Sequence, residues 1–429
     1  MAQSGTDHKT HVINFTYDNE DGCTLTALIN DVRFHITLDP KDFQKSRERP
    51  LYYEYLDKIS AIREADEREE DHAQKQQAKL PSSKRKDKGR EGSEGKDSGV
   101  DVTAGNDDED GEDQDQDSES AELELRNWIL AAFADVTNTY APPNREPEES
   151  TLYEWYHGPT YFYRLHIKSG ELVPELLQTT DEMNEKIEDL VPRMKMPKYI
   201  QDYNLPWLHA EDLVVETEVS FPEPAHPGKV IHRESGDEYF FKPVVPDQPG
   251  PVKREIQILT RLSQLDTDIK VPELLGFVSF SKSKTEAMGL LLSHIDSPTP
   301  LTHLLKSSIP SSKRETWSKK TEEYISILHS HDIIWGDAKA DNFVVDANDE
   351  LWIIDFGGSY TEGWVDPELS ETIAGDKMGL EKIQAALEDP VKNTSNPARK
   401  VSDSVRETAS SLARLKERAR KMKEMETYR

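Results

Sequence analysis

The sequence predicts an α+β protein whose sheet-forming and helix-forming blocks follow one another separately. Three observations carry this. Residues from His11 to about Asp39 alternate apolar and polar types, and further strand-like runs cluster between Leu213 and Ser293, punctuated by Asp-Gly and Ser-Gly-Asp turns. Helical spacing governs other stretches, most clearly Pro251 to Leu262 and Ser312 to Ser330. A strongly polar stretch over residues 81–121 separates an N-terminal part from the rest.

Taken in order, His11 to Asp39 reads as a β-hairpin or small sheet turning at Asp21-Gly22, and Leu51 to Leu80 as a charged helix. Together they make an N-terminal α+β accessory region over residues 1–80. In residues 81–121, Ser, Gly and Lys give way to Asp and Glu, and no Lys or Arg occurs between Lys96 and Arg126. Such text cannot bury enough apolar surface to offset the entropy of ordering, so it is expected to be a disordered acidic linker. Its Lys84-Arg85-Lys86 cluster reads either as a solvated charge run or as a nuclear import signal. Leu123, Leu125, Trp128, Ile129 and Phe133 then fall near helical spacing, and Tyr161 to Ile167 alternates like a strand. Residues 122–204 are expected to pack with the first segment as one accessory region, split by the insertion and leading into the next domain.

From 205 to 390 the pattern is denser. Leu213 to Val219, Lys229 to Glu234 and Glu238 to Val244 read as strands, the last two joined at Ser235-Gly236-Asp237. Pro251 to Leu262 reads as a helix with Pro in its first turn and Val252, Ile256 and Leu259 on one face. Leu274 to Phe280 and Ala287 to Ser293 are strands. Ser312-Lys-Arg-Glu315 is expected to open a helix as a capping box, with Trp317, Ile325 and Leu328 buried. Phe343 to Val345 and Leu351 to Ile354 form a hairpin around Ala347-Asn348-Asp349, and Gly375 to Leu387 forms a last helix. Residues 391–429 are a polar tail ending in a basic helix from about Val405.

Composition narrows the partners. The 429 residues carry 83 acidic and 53 basic side chains, a formal charge of −30. This balance argues against nucleic-acid binding and against docking on anionic lipid. Cys23 is the single cysteine, so an internal disulfide or thiolate cluster is ruled out. No secretory signal pattern or long apolar run occurs, and an intracellular location, cytoplasm or nucleus, is expected.

The sharpest text is Leu328-His-Ser-His-Asp-Ile-Ile-Trp-Gly-Asp337-Ala-Lys339-Ala-Asp-Asn342, followed by Ile353-Ile-Asp355-Phe-Gly357. It resembles the catalytic loop and Asp-Phe-Gly motif of the protein-kinase-like superfamily, with Trp335-Gly336 in place of the usual His-Arg. Gly336-Asp337 is similar to the smaller kinase-like folds such as aminoglycoside phosphotransferases, and Asp355 to Trp364 resembles a kinase-like group common in filamentous fungi. The resemblance runs position for position from Leu328 to Gly357, and more loosely from Leu213 to about Leu387. It implies a two-lobed protein-kinase-like fold, with an antiparallel N-lobe sheet plus helix and a short helical C-lobe.

Phosphoryl transfer needs charge neutralised on the moving group and a nucleophile held in line. By resemblance, Asp355 would hold Mg²⁺ across the phosphates of ATP, Asn342 a second Mg²⁺, and Asp337 the proton of an attacking hydroxyl, with Lys339 meeting the γ-phosphate. Lys242 lies in an otherwise apolar strand, and Glu255 on the next helix is its natural partner. The resemblance makes them the pair that holds the α- and β-phosphates. Backbone atoms of Ser293 and Ile295 would bind adenine, with Leu292 as gatekeeper, and Asp376 would brace the catalytic loop. His329 and His331 read as helix-ending residues without chemistry.

Two departures stand out. Glu218-Val-Ser-Phe-Pro-Glu-Pro-Ala-His-Pro-Gly228 replaces a glycine-rich loop, and its three prolines have no N–H to offer phosphate oxygens. Asp366-Pro-Glu368, a vestige of Ala-Pro-Glu, ends only thirteen residues after Asp355, too few for a long regulated activation loop. The expected function is an ATP- and Mg-dependent phosphotransferase acting on protein Ser/Thr hydroxyls. The alternatives are a kinase of small hydroxyl compounds and a catalytically weak pseudokinase used as a binding module.

Overall fold

Side-chain alternation and a tight turn make the first sheet. β1 (Thr10–Tyr17), β2 (Cys23–Ile29) and β3 (Val32–Leu38) run antiparallel. At the turn the Asp18 carboxylate accepts the N–H groups of Glu20 and Gly22, and Asp21 takes φ 65°. The computed structural model describes residues 9–43, 49–78, 118–146, 149–220, 224–280, 284–359, 361 and 363–393. Most of the acidic linker and the basic tail helix lie outside the described residues. The first helix beyond the linker begins at Ser118, inside the 81–121 stretch expected to be linker.

The chain divides into two compact units, Glu54–Asn127 and the remainder. The smaller unit comes from α1 (Arg49–Ala78) and α2 (Ser118–Ala131). Tyr55, Ile59, Ile62 and Ala65, spaced three or four apart, are buried on α1, as are Ala121 and Leu125 on α2. Lys58 donates to Glu124 at 2.6 Å and Ser118 to Asp66, pairings that make the helices antiparallel.

In the larger unit, α3 (Ala134–Tyr140) and α4 (Leu152–His157) precede β4 (Thr160–Lys168) and β5 (Glu171–Leu176). β4 lies parallel to β3, so strands from both sides of the insertion share one sheet in the order β1-β2-β3-β4-β5. α4 opens with a capping box, Thr151 and Glu154 each accepting the other's backbone N–H. Buried Arg33 of β3 donates to the carbonyls of Trp155, Tyr156 and Gly158 at its C-terminal end, where a cation is favoured.

The chain continues through α5 (Asp181–Glu188), β6 (Met194–Lys195) and α6 (Lys198–Gln201), then β7 (Trp207–His209), β8 (Leu213–Val215), β9 (Glu218–Val219) and β10 (His226–Pro227). β11 (Lys229–His232), β12 (Glu238–Pro243), α7 (Pro249–Leu262), β13 (Leu274–Ser279), β14 (Glu286–Ala287) and β15 (Gly289–Ser293) follow. A six-stranded sheet results, ordered β7-β13-β15-β12-β11-β8 and antiparallel except for β7 with β13. The strand expected over Leu213 to Val219 is interrupted: β8 pairs with β11, whereas β9 leaves to form a two-stranded ribbon with β10.

β16 (Thr299–Pro300), α8 (Leu301–Leu304), α9 (Ser311–Ser330), β17 (Phe343–Val345), β18 (Leu351–Ile353) and α10 (Ile373–Glu388) complete the unit. The expected capping box at Ser312 does not form. Pro310 is the N-cap of α9, which puts Ser312 inside the first turn, and no side chain caps it. One apolar cluster lies between α4 and the six-stranded sheet, around Leu152, Trp155, Phe241 and Leu291. A second joins α7, α9, α10 and the β17–β18 hairpin through Ile256, Leu328, Trp335, Phe343 and Ile383. These observations establish a mixed α+β protein with several sheets. Among the described residues no helix is long and apolar enough to cross a membrane.

Candidate active site

Strand alternation sends Phe241 into the core and leaves Lys242 on the opposite face of β12. A buried ammonium is costly unless paired. Lys242 Nζ lies 2.8 and 2.7 Å from the two oxygens of Glu255 on α7, and 3.1 Å from Asp355. Glu255 is 4% exposed, placed inward by the helical period that also buries Val252, Ile256 and Leu259. Burial acts to lower the Lys242 pKa, but the charges of Glu255 and Asp355 outweigh it and the ammonium is held more firmly than usual. The Lys242 charge, opposed by burial, holds the Asp355 carboxyl below its ordinary value. The Asp355 side chain is 44% exposed and faces a cleft of about 510 Å³ that Lys242, Glu255, Asp337 and Asp355 help to line.

The loop after α9 is fixed from beneath by α10. Asp376, 1% exposed in the first turn of α10, accepts the backbone N–H of Trp335 and of Gly336 at 2.8 Å each, and its other contact is His329 Nε2 at 2.8 Å. Gly336 has φ 94°, and a Cβ there would stand 2.9 Å from Arg254 Nη2. A Cβ at Gly379 would stand 2.2 Å from the Ala338 carbonyl, so a bare backbone lets the loop lie on the helix. The Trp335 indole N–H bridges to the carbonyls of Ile354 and Asp355 at 3.1 and 3.0 Å. Asp376→Ala orphans two buried N–H groups and is expected to cost roughly 3 kcal/mol of folding stability or more. Urea unfolding checks this, and a loss below about 1 kcal/mol would contradict the bracing role.

Asp337 is the hub of the loop. Its Oδ2 accepts from Asn342 Nδ2 and lies near Lys339 Nζ, both at 2.9 Å, while its Oδ1 accepts from Thr361 Oγ1 at 2.9 Å. A carboxylate offers about four acceptor sites, so about one remains beyond these three partners. Lys339 Nζ also donates to Thr361 Oγ1 at 3.0 Å, closing a small polar ring. Asn342 spends both its amide hydrogens on Asp337, which turns its Oδ1 away as a hard donor. The Ile354 N–H donates to the Asn342 carbonyl at 2.9 Å, holding this loop against the strand end that carries Asp355. Asp355 takes φ 59°, a left-handed conformation unfavourable for an L-residue and typical of functional sites. The oxygens of Asp355 and Asn342 suit a hard cation such as Mg²⁺, which takes one or two protein oxygens and completes its shell with water and phosphate. Among the described residues no group of three or more His, Cys, Asp or Glu gathers as a metal cage.

The structure thus brings together Lys242, Glu255, Asp337, Lys339, Asn342 and Asp355. Ser293 closes β15 and Ile295 follows it two residues on. Ser293 pairs with Tyr239 across the sheet, three residues along from Lys242, and its N–H is already bonded to the Glu273 carbonyl at 2.9 Å. Of the Ser293 backbone groups, that leaves the carbonyl for the adenine contact expected there. His329, read as merely ending a helix, bonds Asp376. Three further residues gave no signal in the sequence. Arg254 donates to the carbonyls of Ile334, Trp335 and Phe356, tying α7 to both loops. Thr361 bridges Asp337 and Lys339. Gly379 permits the close approach beneath Ala338. No protein-family model and no curated protein matches the chain.

Proposed function

We propose that this protein is an ATP- and Mg²⁺-dependent phosphotransferase of the protein-kinase-like superfamily, acting on protein Ser/Thr hydroxyls. The observation that carries the reading is the convergence of the Lys242–Glu255 pair and Asp355 on one cleft wall, with Asp337, Lys339 and Asn342 in a second cluster bonded to the Asp355 strand. A six-stranded sheet with α7 on one side of the cleft and the α9–α10 helices on the other is consistent with a two-lobed architecture.

Lys242 neutralises phosphate oxygens, and Glu255 keeps its ammonium aimed at the cleft. Asp355 and Asn342 would hold Mg²⁺, which supplies charge neutralisation across the phosphates. Asp337 orients an acceptor hydroxyl by its remaining acceptor site and takes its proton as the oxygen attacks phosphorus. The bond from the γ-phosphorus to the bridging oxygen breaks, and ADP leaves with that electron pair. Lys339, held by Thr361 and Asp337, offsets the charge on the transferred group.

A second reading is favoured by one observation. Only seventeen residues separate Asp355 from α10, which leaves little surface for docking a protein chain and suits a small hydroxyl compound. Incubation with Mg²⁺ and γ-labelled ATP, against protein pools and against panels of small alcohols, separates the two. Label in protein Ser/Thr supports the first, and label in small molecules the second. Nucleotide binding without transfer to either would leave a pseudokinase.

A further inference from the structure

The ribbon β9–β10 stands between β8 and β11, where the phosphotransferase reading expects the cover over the nucleotide phosphates. Prolines at 224 and 227 remove two of its backbone donors and the Ala225 N–H is already bonded, so it is poorly equipped to grip phosphate as a glycine-rich turn does. It is instead gripped from outside. β1 is the edge strand of the first sheet, with β2 as its only neighbour in it. The register of β1 against β2 slips between Val12 and Asn14, and the Val12 carbonyl accepts the Ala225 N–H at 2.7 Å. His11 Nδ1 lies 2.7 Å from Ser220 Oγ, and Lys9 Nζ donates to Glu218 at 2.6 Å. Both limbs of the ribbon are therefore held, Glu218 and Ser220 on one side and Ala225 on the other. His11 and Ala225 are 5% and 3% exposed, so the Val12–Ala225 bond and the His11 end of its bond to Ser220 are shielded from competing water, whereas the Lys9–Glu218 pair is exposed.

The far side of the ribbon bears on the strand that carries Lys242. The Phe241 N–H donates to the Gly228 carbonyl at 2.8 Å, and the His226 ring meets Phe240 edge to face with centroids 6.5 Å apart. Phe240 and Lys242 share one face of β12 by strand alternation, so the ribbon sits over the lysine face.

We propose that β1 of the N-terminal sheet is a positioning strand for the nucleotide site, fixing the β9–β10 ribbon over Lys242 through His11, Val12 and their partners Ser220 and Ala225. This inference rests on the phosphotransferase reading. It gives the N-terminal sheet a part in that function: a clamp that supplies, by rigidity, the cover that backbone N–H groups would otherwise supply. His11 and Ser220 act through the ribbon and touch no substrate.

The test uses the full chain, a fluorescent ATP analogue with Mg²⁺, and nucleotide-free melting temperatures. Ser220 is exposed, so Ser220→Ala is expected to fold normally while binding Mg-ATP about 3- to 10-fold more weakly, the scale of one lost hydrogen bond. His11→Ala is expected to do the same or more. His11→Asn, which places an amide nitrogen near the Nδ1 position, is expected to recover most of the affinity. In turnover the loss appears in the KM for ATP rather than in kcat. Wild type that binds Mg-ATP with all three variants equal to it overturns the clamp and leaves the phosphotransferase reading intact. A binding loss that follows melting temperature and is not recovered by His11→Asn also overturns it. Wild type that binds no Mg-ATP overturns both.

Discussion

Replacing Asp337 with Asn is expected to reduce phosphoryl transfer by about 10²- to 10⁴-fold while Mg-ATP binding changes little. The change removes the base and keeps the volume. An amide at this position can turn its oxygen toward Asn342 Nδ2 and Lys339 Nζ and its nitrogen toward Thr361 Oγ1, so the polar ring around it stays satisfied. The loop remains braced from below by Asp376. The lysine and the Asp355 oxygens proposed to hold the metal are untouched. Transfer of labelled γ-phosphate and the nucleotide-dependent melting shift, measured on the same preparation, separate the two effects. Normal turnover in the variant would remove Asp337 from the mechanism.

Asp355→Asn has the opposite signature. It removes the exposed carboxylate that pairs with Lys242 and would hold the cation, so Mg-dependent nucleotide binding is expected to weaken at least about tenfold, the scale of a lost charge-assisted bond. Nucleotide binding in the absence of Mg²⁺ should change far less. The pH dependence follows from the lowered Asp355 carboxyl. A carboxyl whose folded pKa is depressed contributes stability that is present above its unfolded value, near 4, and is lost as pH falls through the folded value. The difference in unfolding midpoint between wild type and Asp355→Asn is therefore expected to be constant from pH 8 to about 5 and to shrink below about 4. Lys242→Met should weaken binding more modestly, since it leaves the metal oxygens in place.

Much of this arrangement was legible in the sequence because it depends on local patterns. Apolar runs located β12, β13 and β15, turn residues located the hairpins, and the cost of an unpaired ammonium in an apolar strand pointed from Lys242 to Glu255 on α7. The order of acidic and amide residues from Asp337 to Asp355 was enough to expect them on one loop and the strand end after it. What was not legible depends on contacts between distant segments. Arg254 looks like any solvated helix arginine until the carbonyls of Ile334, Trp335 and Phe356 surround it. Thr361 reads as a loop residue, and only folding brings it to Asp337. The parallel pairing of β3 with β4 joins segments more than a hundred residues apart, which no periodicity announces. The capping box failed for a smaller reason: the helix takes Pro310 as its N-cap, two residues before Ser312. Ser293 reads as the end of a strand, but nothing in the sequence shows that the Glu273 carbonyl takes its N–H.

The central claim is that the wall formed by Lys242, Glu255 and Asp355 is a nucleotide site, and thermal unfolding of the wild-type protein tests it most directly. Melting is recorded with ATP and EDTA, with Mg²⁺ alone, and with Mg-ATP at millimolar concentration. A ligand that binds only the folded state raises stability by RT ln(1 + [L]/Kd), about 2.7 kcal/mol at one hundred times Kd. The account predicts a rise in melting temperature of several degrees with Mg-ATP, much smaller with ATP and EDTA, and lost in Asp355→Asn. A wild-type protein whose melting temperature is unmoved by millimolar Mg-ATP would contradict it.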